Sequence, residues 1–314
     1  MHRIGYLLCD GFQMMALATQ TIFEVANQAA GEPFYAVDNY SIEGGLQRSS
    51  LGMQVETRAV SPRAGVDTWI VAGVIDPLAV PAPGPLLAFL RRSGLRARRV
   101  AGICTGGFML AEAGLLDGRR ATTHWAYARA LGQQHPAVQV EDDRIYLVDG
   151  PVWTSAGMTA GLDLALAMVE HDLGAEVARS VAHKLVMHQR RSGGQSQHSE
   201  MLALAPKSDR IQNALNYARQ HLDRAVSVEE LAAAANLSPR QFSRVFTSET
   251  GQSPAKAIEG LRLEAARLMI ERGTHSLEVI ARETGFRDRR HLREAFVRGF
   301  GVPPQAVRRE ARAG

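Results

Sequence analysis

The feature that most constrains this chain is a pattern that occurs twice near its C-terminal end. Val228, Leu231, Ala232 and Leu237 recur as Leu277, Ile280, Ala281 and Phe286 at an offset of 49 residues. Phe242, Phe246, Gly251 and Pro254 recur as Leu292, Phe296, Gly301 and Pro304 at an offset of 50, so one extra residue sits in the turn of the second copy. A solenoid needs several repeats, each covering its neighbour's apolar face. Two copies predict instead a duplicated helix-turn-helix unit.

Each copy carries its own start and stop signals. Ser227 caps a helix with Glu230 three residues on, and a turn at Asn236 and Leu237 leads to a second cap at Ser238 with Pro239 in the first helical position. On the helix from Pro239 to about Glu249, Phe242, Val245 and Phe246 share one face, which leaves Arg240, Ser243, Arg244 and Thr247 on the other. In the second copy Leu292, Ala295 and Phe296 point inward, and Arg290, Arg293 and Glu294 point outward, flanked by Arg289 and His291. Arginine bonds two acceptors of guanine and a carboxylate accepts from the amino group of cytosine, so such a face reads a major groove. Arg287, Arg298, Arg308 and Arg309 are candidate phosphate anchors, which position a protein without choosing sequence. Between the copies a helix from Pro254 to Arg272 rises roughly 28 Å, close to the ~34 Å repeat of a duplex. The competing reading is a solvated, arginine-rich helical bundle.

Charge follows the same division. The formal net charge is +4, yet residues 210–314 hold 18 Lys and Arg against 12 Asp and Glu, while the rest of the chain holds 18 against 20. A basic segment joined to a mildly acidic one is expected of a nucleic-acid module tethered to something else. Ile280 to Phe286, Asp288, Leu292 to Phe296, Gly301 and Pro304 resemble the signature of AraC/XylS-type transcription regulators, over about residues 209–310. The resemblance implies double-stranded promoter DNA and RNA polymerase as partners, a homodimer, and Arg240, Ser243, Arg244, Arg289, Arg290, Arg293 and Glu294 in the family's two recognition helices. Leu292 stands where many members carry Phe, and Val307 where many carry Tyr.

The N-terminal part alternates short apolar runs with helix-like stretches, as strands crossing over into helices do. Strands are predicted at 3–9, 34–40, 68–74, 100–103, 145–148 and 152–155, and helices at 16–29, 85–96, 105–115, 126–133 and 160–172, with a further helix at about 175–190. The fold class read from this is a doubly wound, flavodoxin-like parallel α/β domain over residues 1–190, a linker over 191–208 rich in Gly, Ser and Gln, and an all-α domain over 209–314.

Cys104 lies at a strand-to-helix turn followed by Thr105, Gly106 and Gly107, the arrangement that raises a nucleophile above a parallel sheet. A helix N-terminus there is expected to lower the thiol pKa and bring backbone N–H groups to a ligand. The runs around Cys104, 110–118, 121–125 and 153–157 resemble the ThiJ/PfpI glutamine-amidotransferase-like fold in the version fused to AraC modules, over about residues 3–195. The resemblance implies an effector-sensing domain with Cys104, Thr105, Gly106, His124, Trp125 and Trp153 at a ligand pocket. It also makes a small nitrogenous metabolite the expected effector and the activation of a catabolic pathway the expected role. Relatives that do chemistry carry an acid where Ala16 stands here, and Thr105 replaces a histidine, so no catalytic set is expected. Four readings stay open for Cys104: a pocket group, a buried core thiol, a redox sensor, or the nucleophile of a cysteine-dependent hydrolase or hydratase with His124 as base. Trp125, Tyr127 and Trp153 either form a cage for an alkylammonium ion or are core aromatics.

With two cysteines, no disulfide framework or four-cysteine zinc site is expected. His183, His188 and His198 do not form a metal set, and no cofactor is expected. The apolar run 4–9 is too short for a secretory core and no stretch is long enough to cross a bilayer, so a cytoplasmic protein, on the nucleoid when DNA-bound, is expected.

Overall fold

A computed structural model describes the chain except for residues 62–64, 95, 188–192, 194–196, 198–203, 205 and 314. It forms two compact units, Met1–Gly193 and Gly194–Gly314.

The first unit is built on an eight-stranded sheet. Its strands are β1 (His2–Leu7), β2 (Tyr35–Ser41), β3 (Gly45–Arg48), β4 (Gln54–Ala59), β5 (Thr68–Ala72), β6 (Arg99–Ile103), β9 (Tyr146–Asp149) and β10 (Val152–Ser155), in the order β3-β4-β2-β1-β5-β6-β10-β9. Two-residue strands β7 (Arg120–Ala121) and β8 (Gln139–Val140) pair separately. The middle of the sheet, β4 to β10, is parallel, and both edges are antiparallel hairpins. β5, β6 and β10 are buried at every residue, because helices cover both faces. Alternation divides their side chains between two cores. Ile4, Tyr6, Ile70, Ala101 and Ile103 meet Ile22 and Phe23 of helix α1 (Gln20–Ala30) and Leu164 and Val169 of α5 (Met158–Lys184). Leu7, Trp69, Val71, Val100 and Val152 meet Leu86 and Phe89 of α2 (Gly84–Ser93), Leu110 of α3 (Gly106–Glu112) and Leu131 of α4 (Trp125–Gln134).

Three expectations change in detail. The predicted helix at 16–29 opens as a 3-10 turn, Met14–Thr19, before α1 begins. The two helices expected at 160–172 and about 175–190 are one element, α5, broken at Gly174, whose φ of 86° no helix allows. β3 and β4 were not foreseen.

The second unit is helical throughout: α6 (Asp209–Gln220), α7 (Val228–Ala234), α8 (Pro239–Thr250), α9 (Pro254–Arg272), α10 (Leu277–Glu283), α11 (Arg289–Phe300) and α12 (Pro304–Ala313). The capping boxes at Ser227 with Glu230 and at Ser238 with Gln241 are both closed, and Asn236 takes the positive φ the intervening turn requires. Phe242, Phe246, Leu231, Ile211 and Ile258 form one core, and Phe296, Leu292, Ile280, Leu277 and Ile270 a second. α9 contributes to both, its N-terminal half to the first and its C-terminal half to the second. Most of the segment read as a linker, with His188 and His198 beside or in it, lies outside the described residues. Its end is not free, since Leu204 is buried in the first helical core and the N–H groups of Lys207 and Ser208 donate to Glu249.

Candidate functional site

The two helices expected to face DNA present the expected residues to solvent. Arg240 and Arg244 on α8 and Arg293 on α11 are exposed, and Ser243 is half-buried, its hydroxyl donating to the Pro239 carbonyl at 3.0 Å. Asp288 caps α11 by accepting from the His291 N–H at 2.7 Å, a bond that holds its carboxyl below the usual range. The remaining residues are not free cations. Arg289 pairs with Glu278 at 3.2 Å and Arg290 with Glu294 at 2.8 Å. Of the candidate phosphate anchors, Arg298 pairs with Glu259 at 2.7 Å, Arg287 with Asp288 at 3.3 Å, and Arg308 donates to the His275 carbonyl at 2.6 Å. These exposed pairs are worth little to the fold and exchange readily for phosphate. Glu278 and Glu259 were not foreseen, because each lies on a different helix from its arginine and only the fold joins them.

In the first unit the sheet changes winding direction between β1 and β5, where α/β folds bind ligands outside the carboxyl ends of their strands. Cys104 follows β6 beside that point, with φ of 55°, left-handed backbone that a non-glycine residue adopts only under constraint. The constraint is visible. Its N–H donates to the Ser155 carbonyl at 2.9 Å, its carbonyl accepts from the Thr123 hydroxyl at 3.0 Å, and the Thr105 hydroxyl donates to the Val74 carbonyl at 2.5 Å. Glycine is required alongside. A Cβ on Gly106 would come within 2.3 Å of the Val71 carbonyl oxygen, and one on Gly73 within 2.2 Å of the Thr105 hydroxyl.

The chemistry of this elbow differs from the expectation of an activated thiol. Cys104 is 3% exposed, and burial pushes its thiol up to about 11, against which the Thr105 N–H has only a smaller opposing effect. Desolvation therefore outweighs the helix N-terminus, and the group is a protonated thiol at neutral pH. Ala16, in the place of an acid, is buried. His124 caps α4, its Nδ1 accepting from the Ala126 N–H at 3.3 Å, with its ring against Trp125 and Tyr127. The Thr123 hydroxyl, next to it in sequence, is the side-chain group that bonds to the cysteine carbonyl.

The aromatic cage is not formed. Trp153 packs in the core with Ile103 and Ala101, under the Arg99 guanidinium at 5.3 Å and beside His171 at 6.0 Å. Tyr127 packs on the other face of the sheet against Phe108, and Trp125 is 55% exposed. Trp153 shares a face of β10 with Ser155 and a core with Cys104, but it lies two residues back along the strand, level with Ala101, so its closeness in sequence to the pocket motif does not bring its ring to the elbow. Two polar atoms near the elbow were missed. Gln13 Oε1 and Ser155 Oγ are buried without a hydrogen-bond partner among the described residues. The Gln13 N–H bonds the Gly73 carbonyl at 2.8 Å, and Ser155 accepts from Cys104, so both are tied to the elbow through the main chain. Among the described residues no group of His, Cys, Asp and Glu is arranged to hold a metal, and no helix is long and apolar enough to cross a membrane.

Comparison with known proteins agrees with both halves. The helix-turn-helix domain family matches residues 231–310 and the DJ-1/PfpI family residues 23–171. The chain is similar in fold to the crystal structure of an AraC family transcriptional regulator from Pseudomonas putida, with a TM-score of 0.53 and 21% identity, over 59% of this chain and all of that one. Isonitrile hydratase of Pseudomonas putida is 40% identical over 121 residues, 36% of this chain and 52% of that protein. The HTH-type transcriptional regulator GlxA of Rhizobium meliloti is 31% identical over 319 residues, spanning 98% of this chain and 96% of its own. With duplicated helix-turn-helix units behind a DJ-1/PfpI-type sheet, and a relative alike from end to end, this chain belongs to the family of AraC-type, HTH-type transcriptional regulators and is a DNA-binding regulator.

Proposed function

We propose that this regulator answers a small, nitrogenous metabolite bound at the Cys104 elbow and reads promoter DNA with α8 and α11, activating a catabolic pathway in the cytoplasm. The observation that carries the DNA reading is the 19-residue helix α9 between two helix-turn-helix units, both with side-chain-capped helices, whose rise of about 28 Å suits neighbouring major grooves on one side of a duplex. Arg240, Ser243, Arg244, Arg289, Arg290, Arg293 and Glu294 form the reading surface. A mobility-shift assay on the DNA upstream of the gene tests this. Wild-type protein gives a salt-sensitive, sequence-selective complex, and Arg244→Ala or Arg290→Ala loses about 1–3 kcal/mol of selective binding. Selectivity intact in both variants would sink the assignment.

For the effector, the support is a strained, glycine-lined elbow with two buried polar atoms lacking partners among the described residues, a cost that a bound ligand offsets. Cys104, Thr105, Gly106 and His124 belong to this pocket, with Gln13 and Ser155 added and Trp153 removed. Trp125 is retained only as an exposed residue at its margin. Effector binding shifts the regulator only through a difference in affinity between two states. The regulator works as a homodimer that contacts RNA polymerase. Support for the dimer is the exposure of Met15, Leu51 and Met53 around the bridge from Phe12 to Ser49. Sedimentation of Leu51→Asp, expected to be monomeric at concentrations where wild type is dimeric, is the check.

The likeness to isonitrile hydratase favours a second reading, cysteine-dependent hydration or hydrolysis at Cys104. The buried, protonated thiol counts against it. Steady turnover of an isonitrile or amide, abolished in Cys104→Ser, would establish it in place of sensing.

A further inference from the structure

The repeat that matches the two helix-turn-helix units also matches their outward residues one by one. At the offset of 50, Arg240 of α8 corresponds to Arg290 of α11, and Arg244 corresponds to Glu294. The first position keeps its cation, and the position one turn later reverses its sign. In α11 the Nε of Arg290 donates to Oε1 of Glu294 at 2.8 Å. That bond holds the Glu294 carboxyl below its ordinary range and the Arg290 guanidinium above its own. In α8, Arg240 and Arg244 make no ion pair with any described residue, and two like charges a turn apart weakly repel.

Which nitrogen is used decides what the pair does. A guanidinium carries five N–H donors in a fixed fork. When Nε is engaged by a carboxylate on the same helix, the edge formed by the two Nη groups stays open, and that edge suits the O6 and N7 acceptors of guanine. A second anchor also reduces the rotamer freedom an exposed arginine must lose on binding. Stability does not explain the pair, because both partners are exposed and such pairs contribute little to folding. The same bond ties down the Glu294 carboxylate, whose Oε1 accepts from Arg290 and which keeps only Oε2 for any other donor.

We propose that Glu294 is a positioning residue that aims Arg290 at a guanine, and that it does not itself read a base. This revises the direct cytosine contact suggested by the sequence, and it rests on α11 being a reading helix, as argued above. A fixed negative charge beside the phosphates weakens binding to any DNA, so the pair exchanges general grip for discrimination at one base pair. The first helix-turn-helix unit, whose two arginines pair with no described acid, keeps the grip.

The test needs no known operator. Full-length wild type, Arg290→Ala, Glu294→Ala, Glu294→Gln and the double variant Arg290→Ala/Glu294→Ala are each incubated with duplexes carrying a random central segment, and bound sequences are counted. Wild type is expected to enrich a motif with a guanine whose preference disappears in Arg290→Ala. Glu294→Ala loses that same preference by about fivefold or more while binding random DNA more tightly, and Glu294→Gln, which keeps an acceptor oxygen, falls between. The double variant matches Arg290→Ala, because the two residues act as one unit. A change in Glu294→Ala at a different base pair would mean that Glu294 reads its own base, and wild-type preferences in that variant would mean that it aims nothing; either overturns the proposal. No enriched motif in wild type, or an unchanged motif in Arg290→Ala, would instead remove α11 as a reader and the proposal with it. All these residues are exposed, so folding is not at stake.

Discussion

Cys104 illustrates how a residue can be located by sequence and misjudged in its chemistry. Its place at the elbow is a local property, legible from the apolar strand before it and the glycines after it. Its protonation is a property of everything packed around it, and that is why the thiol lies at about 11 and not below its ordinary value. The consequence for reactivity is direct: alkylation by iodoacetamide should be slow at pH 7–8 and rise about tenfold per pH unit until near 11, as the thiolate fraction grows. Rapid labelling at pH 7 would show an activated thiol. The consequence for stability has the opposite sense. Cys9 and Cys104 both hold their protons to about 11, above the ordinary 9.0, so in between the folded chain binds protons that the unfolded chain has released. Stability is therefore fully present below pH 9 and falls as pH climbs towards 11. The urea midpoint should drop over that range, and less steeply in Cys104→Ser. Trp153 teaches the complementary lesson, since it shares a core with Cys104 and a face of β10 with Ser155, yet its ring sits further back along the strand, under Arg99 and beside His171.

Elements with strong local punctuation were legible and elements defined by pairing were not. α9 spans Pro254–Arg272 as its cap, proline and terminal glycine predict, because each signal acts within a few residues. Removing such a signal should be felt: Ser238→Ala, which takes the acceptor from Gln241 at the start of α8, is expected to cost about 1 kcal/mol in urea unfolding. β3 and β4 are short, mostly exposed and polar, so they lack the apolar alternation that marks a half-buried strand. The direction of β9 was readable after all. Only Gly150 and Pro151 separate it from β10, and a parallel pair needs a crossover of a dozen or more residues. Within α9 the sequence hid a cost. Arg267 and Glu271 are buried and paired at 3.2 Å, with the guanidinium 4.9 Å from the Phe300 ring. Glu271→Ala removes a buried carboxylate that accepts from Arg267 and should destabilise the helical unit by up to about 3–5 kcal/mol, measurable by denaturant titration.

At the scale of the chain, each unit closes its own cores, and the charge asymmetry read from sequence coincides with that division. Calorimetry should accordingly resolve two transitions, with Phe23→Ala lowering one and Phe296→Ala the other, each by the about 3–5 kcal/mol of a large buried ring. A single shared transition displaced by both variants would contradict independent folding. The helix α9 carries one more implication. Its midpoint is where one helical core gives way to the other, so its length sets the distance and its winding sets the bearing between α8 and α11. Each residue added to it would turn the second unit by about 100° and advance it about 1.5 Å, whereas each base pair added to a duplex turns its groove by only about 36°. Helix and promoter share no common step, so with α8 and α11 as the reading helices proposed above the binding sites are expected to be locked in phase: a spacer that gains or loses a base pair finds no single-residue remedy in the protein.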